Sequence, residues 1–514
     1  MVLQAMQPAQ MKPAREPLNH ARHEAMLRAC RLLLLGVVLL GAICRIVQFA
    51  WRTSLWHDEA LVTLNVMHRG YGELTRPLDY GQLAAPAFLW GERWMLLHLG
   101  FGEYQIRLIS LLCGIGSVAL FGWLAWRLFP APAAVCVAAL FAVCDKLIWH
   151  SAEVKPYASD VLSAVLLLFL AIGLRHPLSF ALRVIVLSAV CSVLLWFSLT
   201  AVFVFAGLSL MLLPRVWRQA RTPGLLIALA ASLLPVASFL CLYRLTIQGH
   251  DTYLDQYWAG DFADWSRAWL LPWWIAREIY SLCDHPYRSL GWIVLPMAVL
   301  GAVFLYRSDR RGAMWAGVGP IGFCLLAALA DKYPFTGDRV TLFLAPCLFL
   351  LVGGGLGAIY LRPAFRHFWF LPAVPMLVVG IATASDHLIH PHARSAMREI
   401  AQYVRAHRQP GEAICLVGEP NHKGGHFTSG RNLELVCYWP DVPGPLYGYP
   451  PRYPPLEEIS DVSQPRFWIV FAALPEHADK YMKRTLDEAD RIAARVDSKQ
   501  VPGGGAYLFE KRQR

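Results

Sequence analysis

The sequence predicts a polytopic α-helical membrane protein that carries a small α/β domain at its C-terminal end. Three observations predict it. Of 514 residues, 56% are hydrophobic and only 16% charged, against roughly 25% charged in soluble domains. The apolar residues gather into repeated runs of about twenty, the length a helix needs to cross a bilayer core. After Asp386 the composition changes to that of a soluble domain, with amphipathic and strand-like patterns.

The formal charge of +11 accompanies a mean hydropathy of +0.41. The basic residues are dispersed in short clusters between apolar runs, which suits cytoplasmic loops and anionic lipid headgroups rather than nucleic acid. Most of the twelve cysteines, among them Cys113, Cys136, Cys191 and Cys324, lie in apolar runs as small hydrophobes. There is no CxxC pair. Only Cys415 and Cys437 share a polar region, where a disulfide is open.

The N-terminal thirty or so residues are polar and contain Arg15, Arg22, Arg28 and Arg31, with no small-residue cleavage site after the first apolar run. Residues 1–31 therefore read as a basic cytoplasmic tail before a retained anchor. Apolar runs predict eleven spans, near 32–50, 106–126, 132–149, 158–174, 180–197, 199–214, 223–243, 289–306, 313–330, 340–360 and 367–384. The fifth and sixth form one run broken only by Ser198 and Thr200. With the N-terminus inside, Arg127, Arg175, Arg215, Arg218, Arg221, Arg307, Arg310, Arg311, Arg362 and Arg366 all fall in cytoplasmic turns, as the positive-inside rule expects. The first loop, about 51–105, the loop 244–288 and everything after 385 then lie outside.

Within the first loop, Pro86 to Leu99 is apolar but too short to span, and suits an interfacial helix. The loop 244–288 carries Tyr253, Tyr257, Trp258, Trp273, Trp274 and Tyr280, an aromatic belt or the lining of a cleft for a sugar or lipid. Residues 32–384 make the transmembrane domain and 385–514 the outer one. There Met397, Ile400, Ala401 and Val404 predict an amphipathic helix over 392–407. Strands are expected at 413–417, 433–437, 467–471 and 506–510, and a helix at 475–495. A Gly/Pro/Tyr-rich stretch fills most of 420–456.

Charged residues at the outer ends of the spans carry the functional signal. Asp58 and Glu59 follow the first span, Arg107 begins the second, Asp145 and Lys146 end the third, and Glu153, Lys155, Tyr157 and Asp160 follow. Lys332, Asp338 and Arg339 join spans nine and ten. Any one of them alone is ordinary snorkelling. Together they set acids and bases at one depth. Acids there can take a proton from an acceptor hydroxyl, and Lys or Arg can hold a phosphate and stabilise charge on it as it leaves.

The stretch Trp56-His57-Asp58-Glu59-Ala60, then Tyr80-Gly81-Gln82-Leu83-Ala84-Ala85-Pro86, then Arg107, resembles the GT-C-fold glycosyltransferases (glycosyltransferase family 39-like), which include protein O-mannosyltransferases and lipid A aminoarabinose transferases. Glu153-x-Lys155-x-Tyr157 and Tyr333-Pro334-Phe335 before Arg339 resemble them too. The similarity covers about 32–384. It implies enzymes that take a sugar from a polyprenyl-phosphate carrier outside the cytoplasmic membrane and invert the anomeric carbon. By the same resemblance Asp58 matches the acid that activates the acceptor, with Glu59 beside it as the other catalytic candidate. Lys155 and Arg339 match bases facing the donor phosphate. Glu153, Tyr157, Arg107, Gln82, Asp145 and Tyr333 complete the expected substrate-binding set. One position departs from the pattern. The aminoarabinose transferases carry a Lys before the first-loop proline, where this chain has Ala85.

The phosphate's leaving charge has two bases to support it, so no cofactor is required; a divalent cation is compatible with the site but not indicated. His387, His390 and His392 are the only metal candidates, and juxtamembrane histidines of this kind usually ligate none. Gly503 to Gly505 reads as a turn, and Gly353, Gly354, Gly355 and Gly357 as a close helix contact. The rival class is a membrane transporter or lipid flippase, which would favour an internal repeat and midplane charges. Neither is visible. The expected partners are therefore a polyprenyl-phosphate sugar donor, membrane lipids and an acceptor that is protein, lipid or glycan, at the inner membrane's outer face.

Overall fold

In a computed structural model, residues 16–173, 180–218, 223–249, 257–308, 310–391, 393–417, 434–439, 446–447, 462–472, 475–502 and 504–512 are described. Arg15, Arg175, Arg221, Tyr253, His392, Gly503 and most of the Gly/Pro/Tyr-rich stretch lie outside them. Each of the eleven apolar runs forms a helix. Among the described residues, however, five helices are long and apolar enough to cross a membrane, or six if Ala131–Ala142 and Asp145–Ala152, bent by 56°, count as one span. The runs behind Tyr157–Ile172, Ala181–Leu194, Ala201–Met211, Gly291–Arg307 and Ala373–Ile389 give shorter apolar helices. An integral membrane protein is shown; eleven crossings are not.

Burial orders the bundle. The apolar window of Arg339–Tyr360 is 94% buried, whereas those of Arg22–Ala50 and Leu226–Ile247 are 17% buried. The first is the central helix and the other two lie at the rim, where Leu32, Leu39, Leu229 and Leu233 face outward. The glycine run of the central helix makes the close contact expected of it. A methyl group on Gly301 would lie 1.8 Å from Leu351 O, and one on Gly355 2.4 Å from Met297 O, so the backbones of 291–307 and 345–360 touch.

The 56° bend redirects the chain toward its charged residues. It frees the Ala142 carbonyl, which accepts from the buried Arg45 Nη1 at 3.2 Å, supplying the partner a broken helix leaves wanting. Past the bend the chain runs through Asp145–Trp149 and the short turn His150–Ala152 into Glu153 and Lys155. Ser198 and Thr200, bonded to each other at 3.1 Å, likewise mark the break between Phe180–Leu194 and Ala201–Arg218.

The C-terminal part forms a five-stranded sheet of order β2-β1-β3-β5-β4, with β1 Ala413–Val417, β2 Leu446–Tyr447, β3 Arg466–Ala472, β4 Ala493–Val501 and β5 Gly504–Lys511. The β1 pairings are parallel and those of β5 antiparallel. Helices Met397–His407 and Pro475–Ile492 accompany the sheet. Two expectations are corrected here. Residues 434–438 form a helical turn rather than a strand, and 493–501 is a strand that the sequence pattern does not mark. Cys415 and Cys437 form no disulfide and sit in different core clusters, where Cys437 Sγ donates to Ala60 O at 3.5 Å.

That last contact joins sheet and bundle. Leu55, Ala60, Leu61 and Leu64 share one hydrophobic core with Met397, Ile400, Val404, Leu435 and Trp468. Tyr438 reaches the same place, donating to Glu103 Oε1 at 3.0 Å and accepting from Leu55 N at 2.6 Å.

Candidate active site

The motif after the first helix is itself helical, over His57–His68. Successive residues on a helix point about 100° apart, so its two acids part company. Glu59 is fully buried. Its carboxylate accepts from Arg107 Nε at 2.8 Å, Arg107 Nη2 at 2.6 Å, Val154 N at 2.8 Å and Trp56 N at 3.3 Å. Arg107 spends its remaining donors on the Thr53 and Ser54 carbonyls. Both expectations for this pair are corrected: Glu59 and Arg107 face each other, and neither is free to meet a substrate. They pin the start of helix 57–68 to helix 103–128 and to the Glu153–Lys155 loop.

Asp58 faces the other way. Its Oδ2 meets Arg339 Nη2 at 2.8 Å, with the two side chains 21% and 20% exposed, so the pair is open to a ligand. Arg339 stands at the start of a 3₁₀ turn, where Asp338 Oδ1 accepts from its backbone N–H at 2.6 Å. Tyr333 is not a free binding group. Its hydroxyl donates to Val340 O at 2.7 Å and its ring packs on Phe203 at 4.9 Å, buttressing the segment that presents Arg339.

Lys155 is buried and its Nζ donates to Gln82 Oε1 at 2.5 Å. Gln82 arrives through a tight turn in which Tyr80 and Gly81 both adopt left-handed φ, 65° and 64°. That conformation is costly for a tyrosine and marks an imposed geometry. Burial lowers the Lys155 pKa from its ordinary value, and Arg339 adds to the drop; Asp58 is the charge that opposes it most. Lys155, Arg339 and Asp58 thus act on one another.

Glu153 is held by Trp149 Nε1 and His150 Nδ1, each at 2.7 Å, and by Arg394 at 3.4 Å. Burial would raise its pKa, but the His150 charge and hydrogen bond, with Arg394, bring it down to about 2. Tyr157 packs edge-on against His150 at 5.1 Å. Asp145 is taken up by His387 Nδ1 at 2.5 Å and by Lys146 at 3.8 Å, while His390 turns to Asp386 at 3.2 Å. Among the described residues, no three metal-ligating side chains converge.

The residue that sequence reasoning misses is Arg394. It follows the last helix of the bundle, and its guanidinium lies 4.4 Å from the Trp56 ring and 4.9 Å from that of Trp149. Arg339 lies 5.1 Å from the same Trp56 ring. Trp56 is therefore flanked by two cations, one from the bundle and one from the C-terminal segment, an arrangement cation–π attraction favours. Only spatial proximity reveals it, since 338 residues of sequence separate Trp56 and Arg394 (394 − 56). Beside Arg339 opens a cavity of about 610 Å³ bounded by Lys146, Tyr280, His285, Arg288 and Arg394; of the aromatics expected in the 244–288 loop, Tyr280 alone among the described residues lines it.

No family model and no curated protein matches the chain. Among solved structures it is similar to ArnT from Cupriavidus metallidurans. The form bound to undecaprenyl phosphate matches at 14% identity over 92% of this chain and 97% of that one, TM-score 0.54. The apo form matches at 13% identity over the same shares, TM-score 0.55. It is also similar to the archaeal oligosaccharyltransferase AglB from Archaeoglobus fulgidus in complex with an inhibitory peptide and a dolichol-phosphate, at 10% identity over 92% of this chain and 74% of that one, TM-score 0.50. These are GT-C-fold membrane glycosyltransferases, and the chain has their fold.

Proposed function

We propose that this protein is a membrane glycosyltransferase that moves a sugar from a polyprenyl-phosphate donor to an acceptor hydroxyl. The observation that carries the reading is the open Asp58–Arg339 pair at 2.8 Å with the buried Lys155 beside it, at helix ends and connections. The ArnT and AglB structures hold undecaprenyl phosphate and a dolichol-phosphate, the donor class this arrangement suits. Charges at helix ends rather than mid-helix weigh against the transporter alternative.

The chemistry follows from the geometry. A donor phosphate entering between Lys155 and Arg339 draws the guanidinium away from Asp58. The freed carboxylate accepts the proton of the acceptor hydroxyl as its oxygen bonds to the anomeric carbon. The bond from that carbon to the phosphate oxygen breaks, and polyprenyl phosphate leaves with the electron pair, its charge balanced by the two bases. Attack opposite the leaving group inverts the carbon. No metal is required by this route.

Arg339→Lys tests the phosphate assignment. A lysine keeps the charge but loses the bidentate fork, so donor binding and single-turnover rate should both fall, on the order of tenfold for Lys and more for Ala. Unchanged donor binding and rate in Arg339→Ala would reduce the residue to an interfacial anchor.

The orientation we propose sets the site and the C-terminal segment outside the inner membrane, with eleven crossings in all. Single cysteines placed at Tyr80, Gly260 and Pro450 in a cysteine-free background should react with an impermeant reagent from outside, and one at Arg215 only after permeabilisation. Labelling of Tyr80 and Arg215 positions from the same side would overturn this topology.

A further inference from the structure

Helices 291–307 and 345–360 touch backbone to backbone at Gly301 and Gly355. One turn beyond that contact they border a groove of about 240 Å³, lined by Leu300, Ala358, Ile359, Arg362 and Phe365. It lies at the end of the bundle away from the candidate site. The 22 residues of Arg339–Tyr360 separate the two by about 30 Å, the thickness of a bilayer core.

Four of the lining side chains are apolar and the remaining one is a guanidinium. Arg362 is exposed and has no side-chain partner among the described residues. Its neighbour Arg366 is engaged elsewhere. The Arg366 Nη2 donates to Tyr360 Oη at 3.1 Å, and its guanidinium lies 5.0 Å from the Tyr360 ring. Trp369 packs on the same ring at 5.6 Å. That stack holds the connection 361–371 against the helix end and leaves Arg362 to the groove.

A second observation concerns the groove's surroundings. Leu361, Phe365, Phe368, Phe370 and Leu371 are all exposed, an apolar patch that calls for a covering. From Gly355 to Leu371 the sequence has no acid to balance Arg362 and Arg366. The stretch that ends helix 291–307 adds Arg307, Arg310 and Arg311 against one Asp309. Exposed leucines and aromatics interleaved with arginines suit a segment lying in the headgroup layer of an anionic membrane.

We infer that this groove binds one anionic phospholipid, its phosphate on Arg362 and an acyl chain along Leu300, Ala358, Ile359 and Phe365. The inference stands on the bundle alone and is independent of the transfer reading. A free phosphate would pair with the arginine but leave the apolar wall bare. A zwitterionic lipid would cover the wall but bring its own cation beside Arg362. The polyprenyl-phosphate donor belongs with Arg339 and Lys155, at the other end of the central helix. A phospholipid held here braces the far end of that helix, whose near end leads out of the Arg339 turn.

The test titrates the full chain in a mild detergent with phosphatidylglycerol and counts bound lipids by native mass spectrometry. Wild type should retain one phosphatidylglycerol about tenfold more tightly than phosphatidylcholine of the same chains. Arg362→Gln should remove that preference. Arg22→Gln, the same loss of charge on the exposed start of helix 16–50, should keep it. Glycerol 3-phosphate, a headgroup without chains, should not displace the lipid. Wild type should also unfold at a higher temperature with phosphatidylglycerol than with phosphatidylcholine, and Arg362→Gln at one temperature with both. Because Arg362 is exposed and unpaired, that variant in phosphatidylcholine should unfold where wild type does, so its loss of binding reports on the site. Equal affinity for the two lipids, or equal effects of Arg362→Gln and Arg22→Gln, would mean diffuse attraction only and overturn the inference. Displacement by glycerol 3-phosphate would make this a free-anion site, and one-for-one displacement by polyprenyl phosphate a donor site. Either result overturns it as well.

Discussion

Asp58→Asn is expected to abolish sugar transfer while the protein still inserts and folds. The carboxylate makes one partly exposed ion pair, with Arg339, and pairs of that kind contribute at most about 1 kcal/mol. Asparagine keeps the shape and can still accept a hydrogen bond. What it cannot do is take a proton, and loss of a general base typically costs about 10²–10⁴ in rate. Single-turnover transfer, measured beside donor binding and size-exclusion behaviour in detergent, separates the two effects. Near-normal turnover would take the base role away from Asp58 and remove the central step of the mechanism.

Arg107→Ala should act on the fold. Its partner Glu59 is fully buried and would keep only the Val154 and Trp56 N–H groups. An uncompensated buried charge of this kind costs about 3–5 kcal/mol, enough to consume much of a typical margin of stability. Thermal unfolding in detergent should show a large drop for Arg107→Ala. Replacing both members, as in Glu59→Met with Arg107→Met, should recover most of it, since an apolar pair of similar volume is often no worse than the ion pair. Unfolding of Arg107→Ala at the wild-type temperature would mean that the pair does not hold helix 57–68 in place.

These two residues also show what the sequence makes legible. An acidic pair beyond an apolar run is conspicuous because it is costly there, and so the motif can be found. That its acids diverge follows from the segment's being helical, which a short polar stretch with mixed propensity does not announce. Hydropathy likewise identifies every apolar helix of the bundle, yet it measures apolarity and not the length that survives breaks at Val143 and Ser198 or the reach of the shorter helices. In the C-terminal part, strand β3 is readable because Phe467 to Phe471 is a continuous buried apolar run. Strand β4 is not, because its Arg495, Val496, Ser498 to Gln500 edge is largely solvent-facing and shows no inside–outside alternation. Residues 434–438 carry strand-forming Val436 but fold as a helical turn against the His57–His68 helix; there tertiary packing overrides local propensity. Arg394 is invisible for a simpler reason: nothing in its neighbourhood marks a juxtamembrane arginine as part of a distant site.

The core shared by the first connection and the C-terminal segment has a consequence for how the protein is made. Ala60 and Cys437, in contact in the finished molecule, are 377 residues apart. At translation rates of about 5–20 residues per second, the helix bearing Asp58 waits roughly 20–75 s for its cover to be synthesised. Through that interval the core holds Leu74, Phe88, Leu89, Ile106 and Val154 beside Leu61 and Leu64, but lacks Met397, Ile400, Leu435 and Trp468. The nascent protein therefore begins with its candidate site partly uncovered, and its assembly is completed from the last quarter of the polypeptide backwards. A ribosome stalled before residue 397 yields an inserted bundle whose Trp56 lacks one of its two flanking cations unless Arg394 has already emerged.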